Sequence, residues 1–184
     1  MIRSLQIGKF KSISDASLIL APLTLLIGAN ASGKSNVLEA LKLLTWIAEN
    51  GRLANVQHAI KQHELRIRGS VQHLAPIGTG PEGPEMIRLG CTLDGPQNVG
   101  RLIFKIGLES AEDGLRVAEE SLIGPDLQEA NNSQVPLYRI AERNTNINIV
   151  WVEYNNFARG QNKPRLNAVD QQAIFVQLMS PAPF

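Results

Sequence analysis

Gly28-Ala29-Asn30-Ala31-Ser32-Gly33-Lys34-Ser35 fits the pattern G-x-x-x-x-G-K-[ST] at every fixed position. That spacing makes a phosphate cradle, and each fixed residue has a physical job in it. Glycines let consecutive backbone N–H groups turn inward and approach an anion closely, because a Cβ there would clash. In such a loop Lys34 reaches the β- and γ-phosphates as a point charge, and the Ser35 hydroxyl is a ligand for Mg2+. A helix that begins at this point adds its N-terminal dipole to the same anion site.

A cradle of this kind needs a strand before it and a helix after it. Leu23-Thr24-Leu25-Leu26-Ile27 is a short apolar run that reads as a buried strand. Beyond Ser35, Val37, Leu38, Leu41, Leu44 and Ile47 recur at helical spacing, and Asn50-Gly51 supplies a helix stop. The bland alternative is a flexible Gly/Ser turn with a solvated lysine. It does not account for the order strand, glycine loop, helix.

With 184 residues, the chain is read as one domain, 1–184, large enough for a proper core. Its 43% apolar and 19% charged residues are ordinary for a globular protein, and a net charge of +1 gives no global electrostatic argument for nucleic acid or a membrane surface. The single cysteine, Cys91, excludes an internal disulfide and fits a reducing compartment. Its strand-like setting reads as a buried structural thiol. No signal core opens the chain and no apolar stretch is long enough to cross a bilayer, so the expected location is cytoplasmic, with no membrane partner.

Periodicity along the chain predicts strands over 2–10 and 17–20, a helix ending near Glu49, and a second helix over 52–65. The Gly/Pro-dense stretch 76–84 reads as an exposed loop. From Glu85 onward the pattern turns strand-like: 86–93, 100–108 and 115–123, then a hairpin of 135–142 with 147–154, together an antiparallel meander.

Phe10-Lys11-Ser12-Ile13-Ser14-Asp15-Ala16, the apolar run 23–27, and the loop continuing through Asn36-Val37-Leu38-Glu39-Ala40-Leu41 resemble the opening of RecF/SMC-type ATPases. More narrowly, they look like the bacterial AAA-family group with an ABC-type head. The two strands ahead of the phosphate loop are similar to the small antiparallel segment that such heads build first. The specific part of this resemblance covers about the first 45 residues. It implies an α/β P-loop NTPase: an ABC-ATPase-like lobe with N-terminal antiparallel strands, a P-loop strand–helix unit and an antiparallel β meander. The implied cofactors are ATP and Mg2+. Lys11 and Ser12 would approach the phosphates or base from the first hairpin, Asn30, Ala31, Ser32, Gly33, Lys34 and Ser35 would wrap the phosphates, and Asn36 would start the helix. The family's Q-loop glutamine, a Mg2+ ligand beside Ser35, would fall at Gln177, with Gln171 and Gln172 as rivals and an apolar strand as the alternative setting.

The sequence also departs from that family. No four apolar residues followed by Asp-Glu occur, and the nearest stretch, 147–153, lacks the aspartate. No Ser-Gly-Gly signature or switch histidine is found either. The expectation is therefore the N-terminal lobe of a longer ATPase, binding Mg-ATP without efficient turnover. By resemblance it would pair as a homodimer through ATP-bound heads, beside a nuclease or other effector, with DNA as a further partner. The alternative from a different class is a non-hydrolysing nucleotide-binding or protein-interaction module. A GTPase would need Asn-Lys-x-Asp, and Asn162-Lys163-Pro164-Arg165 lacks the aspartate. His58, His63 and His73 are not at metal-ligand spacing. Glu119-Glu120 reads as a surface pair, Arg66 and Arg68 as one face of a solvated strand, and Trp46 and Trp151 as core aromatics. Ile174, Phe175, Val176 and Phe184 are expected to lie exposed and to favour association.

Overall fold

A computed structural model describes residues 1–75, 86–95, 100–112, 114–128, 134–144, 146–155 and 164–179. The expected loop 76–84 and Phe184 lie outside them. Strand β1 (Ile2–Phe10) alternates as its sequence demands, with Leu5 and Ile7 buried and Gln6 outward. It pairs antiparallel with β2 (Ile13–Ile19) through a turn of Lys11 and Ser12, since Phe10 sits opposite Ile13. On its other side β1 pairs with β3 (Ile87–Asp94), and β4 (Arg101–Ala111), β5 (Gly114–Gln128), β6 (Gln134–Asn144), β7 (Ile149–Tyr154) and β8 (Arg165–Val169) follow in chain order. The result is one eight-stranded antiparallel sheet ordered β2-β1-β3-β4-β5-β6-β7-β8. The chain is thus α/β with a large antiparallel sheet, and the expected meander forms most of it.

Helix α1 (Lys34–Ala48) lays Ala40, Leu43, Leu44 and Ile47 on one face of this sheet, against Leu5, Ile7, Phe10, Leu89 and Ile106. Asn50 (φ 75°) ends the helix in the left-handed region, and the Gly51 N–H returns to the Trp46 carbonyl at 3.0 Å. A Cβ at Gly51 would run into the Trp46 ring, so only glycine fits. The expected helix over 52–65 is shorter than its periodicity suggested: a 3-10 turn at Leu53–Asn55 leads into α2 (Val56–Lys61). Arg66 and Arg68 lie outside any strand.

Three expectations are corrected. Residues 23–27, read as a buried strand, stand outside the sheet, with Leu23, Leu25 and Ile27 exposed at 88%, 77% and 84%. The apolar run is present, but no neighbouring strand among the described residues pairs with it. The segment around Gln177 is not a strand but the short helix α3 (Ile174–Met179). There Ile174 is fully buried and Phe175 packs edge-on to Phe104, with ring centroids 6.1 Å apart, so these two residues are not the exposed apolar surface expected of them.

Glu120 is the third. It is buried on the core face of β5, where its carboxylate accepts hydrogen bonds from the Tyr138 hydroxyl (2.7 Å) and from the backbone N–H groups of Ile174 (2.8 Å) and Phe175 (2.7 Å). Burial pushes its pKa up, and those three bonds only partly oppose the shift. The folded state therefore holds the Glu120 proton more tightly than the unfolded chain does. The resulting stabilisation is full below the usual glutamate pKa of about 4.3 and fades as pH rises through the raised folded value. Glu120→Gln removes this titration. Denaturant unfolding of both proteins as pH falls from the neutral range toward the usual glutamate pKa is expected to show the wild type gaining stability relative to the variant. Parallel stability profiles would contradict this.

Candidate functional site: the loop at the start of α1

The chain enters α1 through two left-handed residues, Ala31 (φ 63°) and Gly33 (φ 89°). Gly33 occupies the N-cap position, and no side chain caps the helix there. The first turn of α1 also lacks an acidic residue. Its N-terminal N–H groups and dipole are thus left for an external anion. Residues 28–32 are exposed, so the loop is open to solvent.

Lys34 folds back over this loop. Its Nζ donates to the Gly28 carbonyl (2.7 Å), the Ala29 carbonyl (2.5 Å) and Ser32 Oγ (3.2 Å). The ammonium is therefore held inside the loop by its carbonyl and hydroxyl oxygens. Ser35 is exposed on the first turn. An uncapped helix start, a lysine in the loop and a free hydroxyl beside it fit the triphosphate and Mg2+ that the loop pattern implies.

The first hairpin closes over the same loop. Asn36 Nδ2 donates to Ser12 Oγ at 2.7 Å, and a Cβ built on Gly33 would stand 3.8 Å from that oxygen. Ser12, Gly33 and Asn36 are thus neighbours. Lys11 is placed differently: its ammonium is engaged by the Glu39 carboxylate and by the Arg68 carbonyl (2.7 Å), and its backbone N–H donates to the Leu74 carbonyl (2.8 Å). In this conformation Lys11 serves the joint between hairpin and helix, while Ser12 faces the loop.

Glu39 is the residue that sequence reading passed over. It is only 4% exposed, and Arg68 Nε donates to its second oxygen at 2.7 Å. Burial alone would raise its pKa, but the hydrogen bonds and charges of Lys11 and Arg68 outweigh burial and hold it below the usual carboxylate range. The sequence carries one usable signal: position 39 lies one helical turn after Ser35, so the two share a face of α1.

Gln177 is tied to the backbone by all of its amide. Its Oε1 accepts from the Val169 N–H (3.0 Å), and its Nε2 donates to the carbonyls of Val169 (2.8 Å) and Gln172 (2.9 Å). These bonds stitch α3 to the end of β8. Among the described residues no group of three or more His, Cys, Asp and Glu side chains is placed to hold a metal, and no helix is long and apolar enough to cross a membrane.

Comparison with known proteins places likeness in this same part of the chain. Residues 1–69 match the family model of an AAA ATPase domain. Over 72 residues the chain is 42% identical to the DNA replication and repair protein RecF of Gloeobacter violaceus, a stretch covering 39% of this chain and 17% of that protein. It is 31% identical over 71 residues to the Old nuclease of Escherichia phage P2, covering 39% of this chain and 12% of that one. The chain therefore matches only a small share of the length of these relatives.

Proposed function

We propose that this chain, whose residues 1–69 match an AAA ATPase domain, is the Mg-ATP-binding P-loop lobe of an ABC-type, RecF/SMC-like ATPase. The observation that carries the reading is the uncapped start of α1, with Lys34 folded into the loop that precedes it. The backbone of Asn30, Ala31, Ser32 and Gly33 lines the cradle, Lys34 answers the β- and γ-phosphates, and Ser35 holds Mg2+. Ser12, supported by Asn36, contributes a hydroxyl from the first hairpin. Mg2+ supplies charge neutralisation of the phosphates when bound.

Hydrolysis needs more than this. Phosphoryl transfer is catalysed by positioning and by electrostatic stabilisation, including an oriented water. The sequence offers no Asp-Glu pair after an apolar strand to orient that water. Ground-state binding is retained and turnover is poor, as follows when only transition-state contacts are missing. Efficient hydrolysis would require that pair from the remainder of a longer ATPase head, and head dimerisation to bring a signature serine onto the γ-phosphate. The names of the two relatives favour a DNA-related role. In the proposed function the partner is a nuclease or other effector and the location is the cytoplasm.

The engagement of Gln177 by three backbone bonds favours a second reading, a nucleotide-binding or interaction module that does not hydrolyse. In that reading Gln177 never reaches Mg2+. Calorimetric titration of Mg-ATP into the chain, repeated with EDTA and followed by phosphate release, tests both. Saturable binding that weakens on chelation, with little phosphate released, is the expected result. No binding at all would leave only the interaction module.

A further inference from the structure

Ser12 lies on the two-residue turn that joins β1 to β2. Lys11 has φ 53°, a left-handed conformation that a lysine keeps only when its surroundings impose it. Three contacts do so: the Leu74 carbonyl takes its N–H, and Glu39 and the Arg68 carbonyl take its ammonium. Of these partners only Glu39 belongs to α1, the helix whose N-terminus is the anion site. It is also buried, so its grip on Lys11 is little weakened by water.

We propose that Glu39 is a positioning residue of the nucleotide site: by holding Lys11 in its left-handed turn, it fixes Ser12 over Gly33 and aims the Ser12 hydroxyl at the phosphate loop. The hydrogen-bond direction gives the chemistry. Asn36 Nδ2 donates to Ser12 Oγ, so the Ser12 O–H keeps its own proton for a second acceptor. A donor held beside an uncapped helix start suits a phosphate oxygen. Arg68 neutralises the second oxygen of Glu39, so the carboxylate stays anchored from both sides. The turn and the loop are thereby referenced to the same helix, and Glu39 helps to set the distance between them. This assignment rests on the ATP-binding reading for its ligand, but not for its geometry.

Two measurements separate the two. In the first, Mg-ATP affinity is compared among wild type, Glu39→Gln, Lys11→Met and the double variant. Each single variant is expected to bind about tenfold more weakly, since loss of positioning acts through geometry. The double variant is expected to be no weaker than either single one, because both break the same link. Lys11→Arg, which restores a cation, is expected to recover most of the affinity. In the second, Ser12→Cys and Asn36→Cys are combined in a Cys91→Ala background and the rate of disulfide formation is followed without nucleotide. It is expected to be fast with Glu39 present and about tenfold slower with Glu39→Gln or Lys11→Met. Lys11→Met leaves Glu39 paired with Arg68, so it serves if Glu39→Gln fails to fold. Additive losses, or an unchanged cross-linking rate, would overturn the proposal. Should the wild type not bind Mg-ATP, the ATP-binding reading falls, and the cross-linking result alone decides the role of Glu39.

Discussion

Lys34→Ala is expected to lower the affinity of the chain for Mg-ATP about a hundredfold while changing its stability by less than about 0.5 kcal/mol. The two halves of that expectation have separate physical origins. A hydrogen bond to a charged group contributes about 1.5–3 kcal/mol, and a lysine answering two phosphates makes more than one. A loss of about 2.7 kcal/mol corresponds to the hundredfold change. Stability, by contrast, is insulated. Every hydrogen bond recorded for Nζ stays within the loop itself, to Gly28, Ala29 and Ser32. None reaches the core under α1, so truncation removes no packing and strands no buried partner. Lys34→Arg is not expected to rescue binding, since a planar guanidinium fits poorly where a compact ammonium sits among carbonyls. Calorimetry for affinity and thermal unfolding for stability read the two halves independently. Equal affinity in wild type and Lys34→Ala would place the nucleotide somewhere other than this loop.

The loop was legible because its information is local. The glycine loop and the helix after it are stated by consecutive residues. The helix nonetheless starts at Lys34, two residues before the Asn36 expected, because Gly33 in its left-handed φ already serves as the N-cap. What escaped depends on distant residues. Glu39 reads as an ordinary solvated glutamate until Lys11, 28 positions earlier, and Arg68, 29 positions later, close on it. Helical periodicity named Val37, Leu38, Leu41, Leu44 and Ile47 as the apolar face. The buried stripe instead runs through Ala40, Leu43, Leu44 and Ile47, leaving Leu38 half in solvent at 51%. A helix carrying this many leucines does not specify its own rotation; the sheet beneath it does. Glu120 escaped through a register shift. Gly107 pairs with Glu119 and Leu108 with Val117, so the bulge skips Ala118 and turns Glu120 inward in the place of Glu119. The short run 174–179 was ambiguous because six largely apolar residues serve a strand or a buried helical turn equally well.

Residues 23–27 pose the opposite case, a segment whose sequence asks for burial and whose surroundings withhold it. Leu23, Leu25 and Ile27 put three large side chains into solvent immediately before Gly28. An exposed apolar run of this kind drives association until something covers it. Burying one such side chain is worth about 1.5–3 kcal/mol, so three together contribute several kcal/mol to a contact. The wild-type chain is therefore expected to self-associate in concentrated solution. Replacing Leu23, Leu25 and Ile27 together by threonine should weaken that association by at least about a hundredfold. Folding should be spared, because none of the three belongs to the buried core. Sedimentation velocity over a concentration series, with thermal unfolding as the control, measures both. A wild type that stays monomeric throughout would remove the argument from exposure. The link to function lies in the position of the patch: residues 23–27 feed directly into the loop, so whatever covers them also fixes the strand side of the phosphate cradle. On that ground the triple variant should bind Mg-ATP no better than the uncovered wild type, and its affinity should lose any dependence on protein concentration.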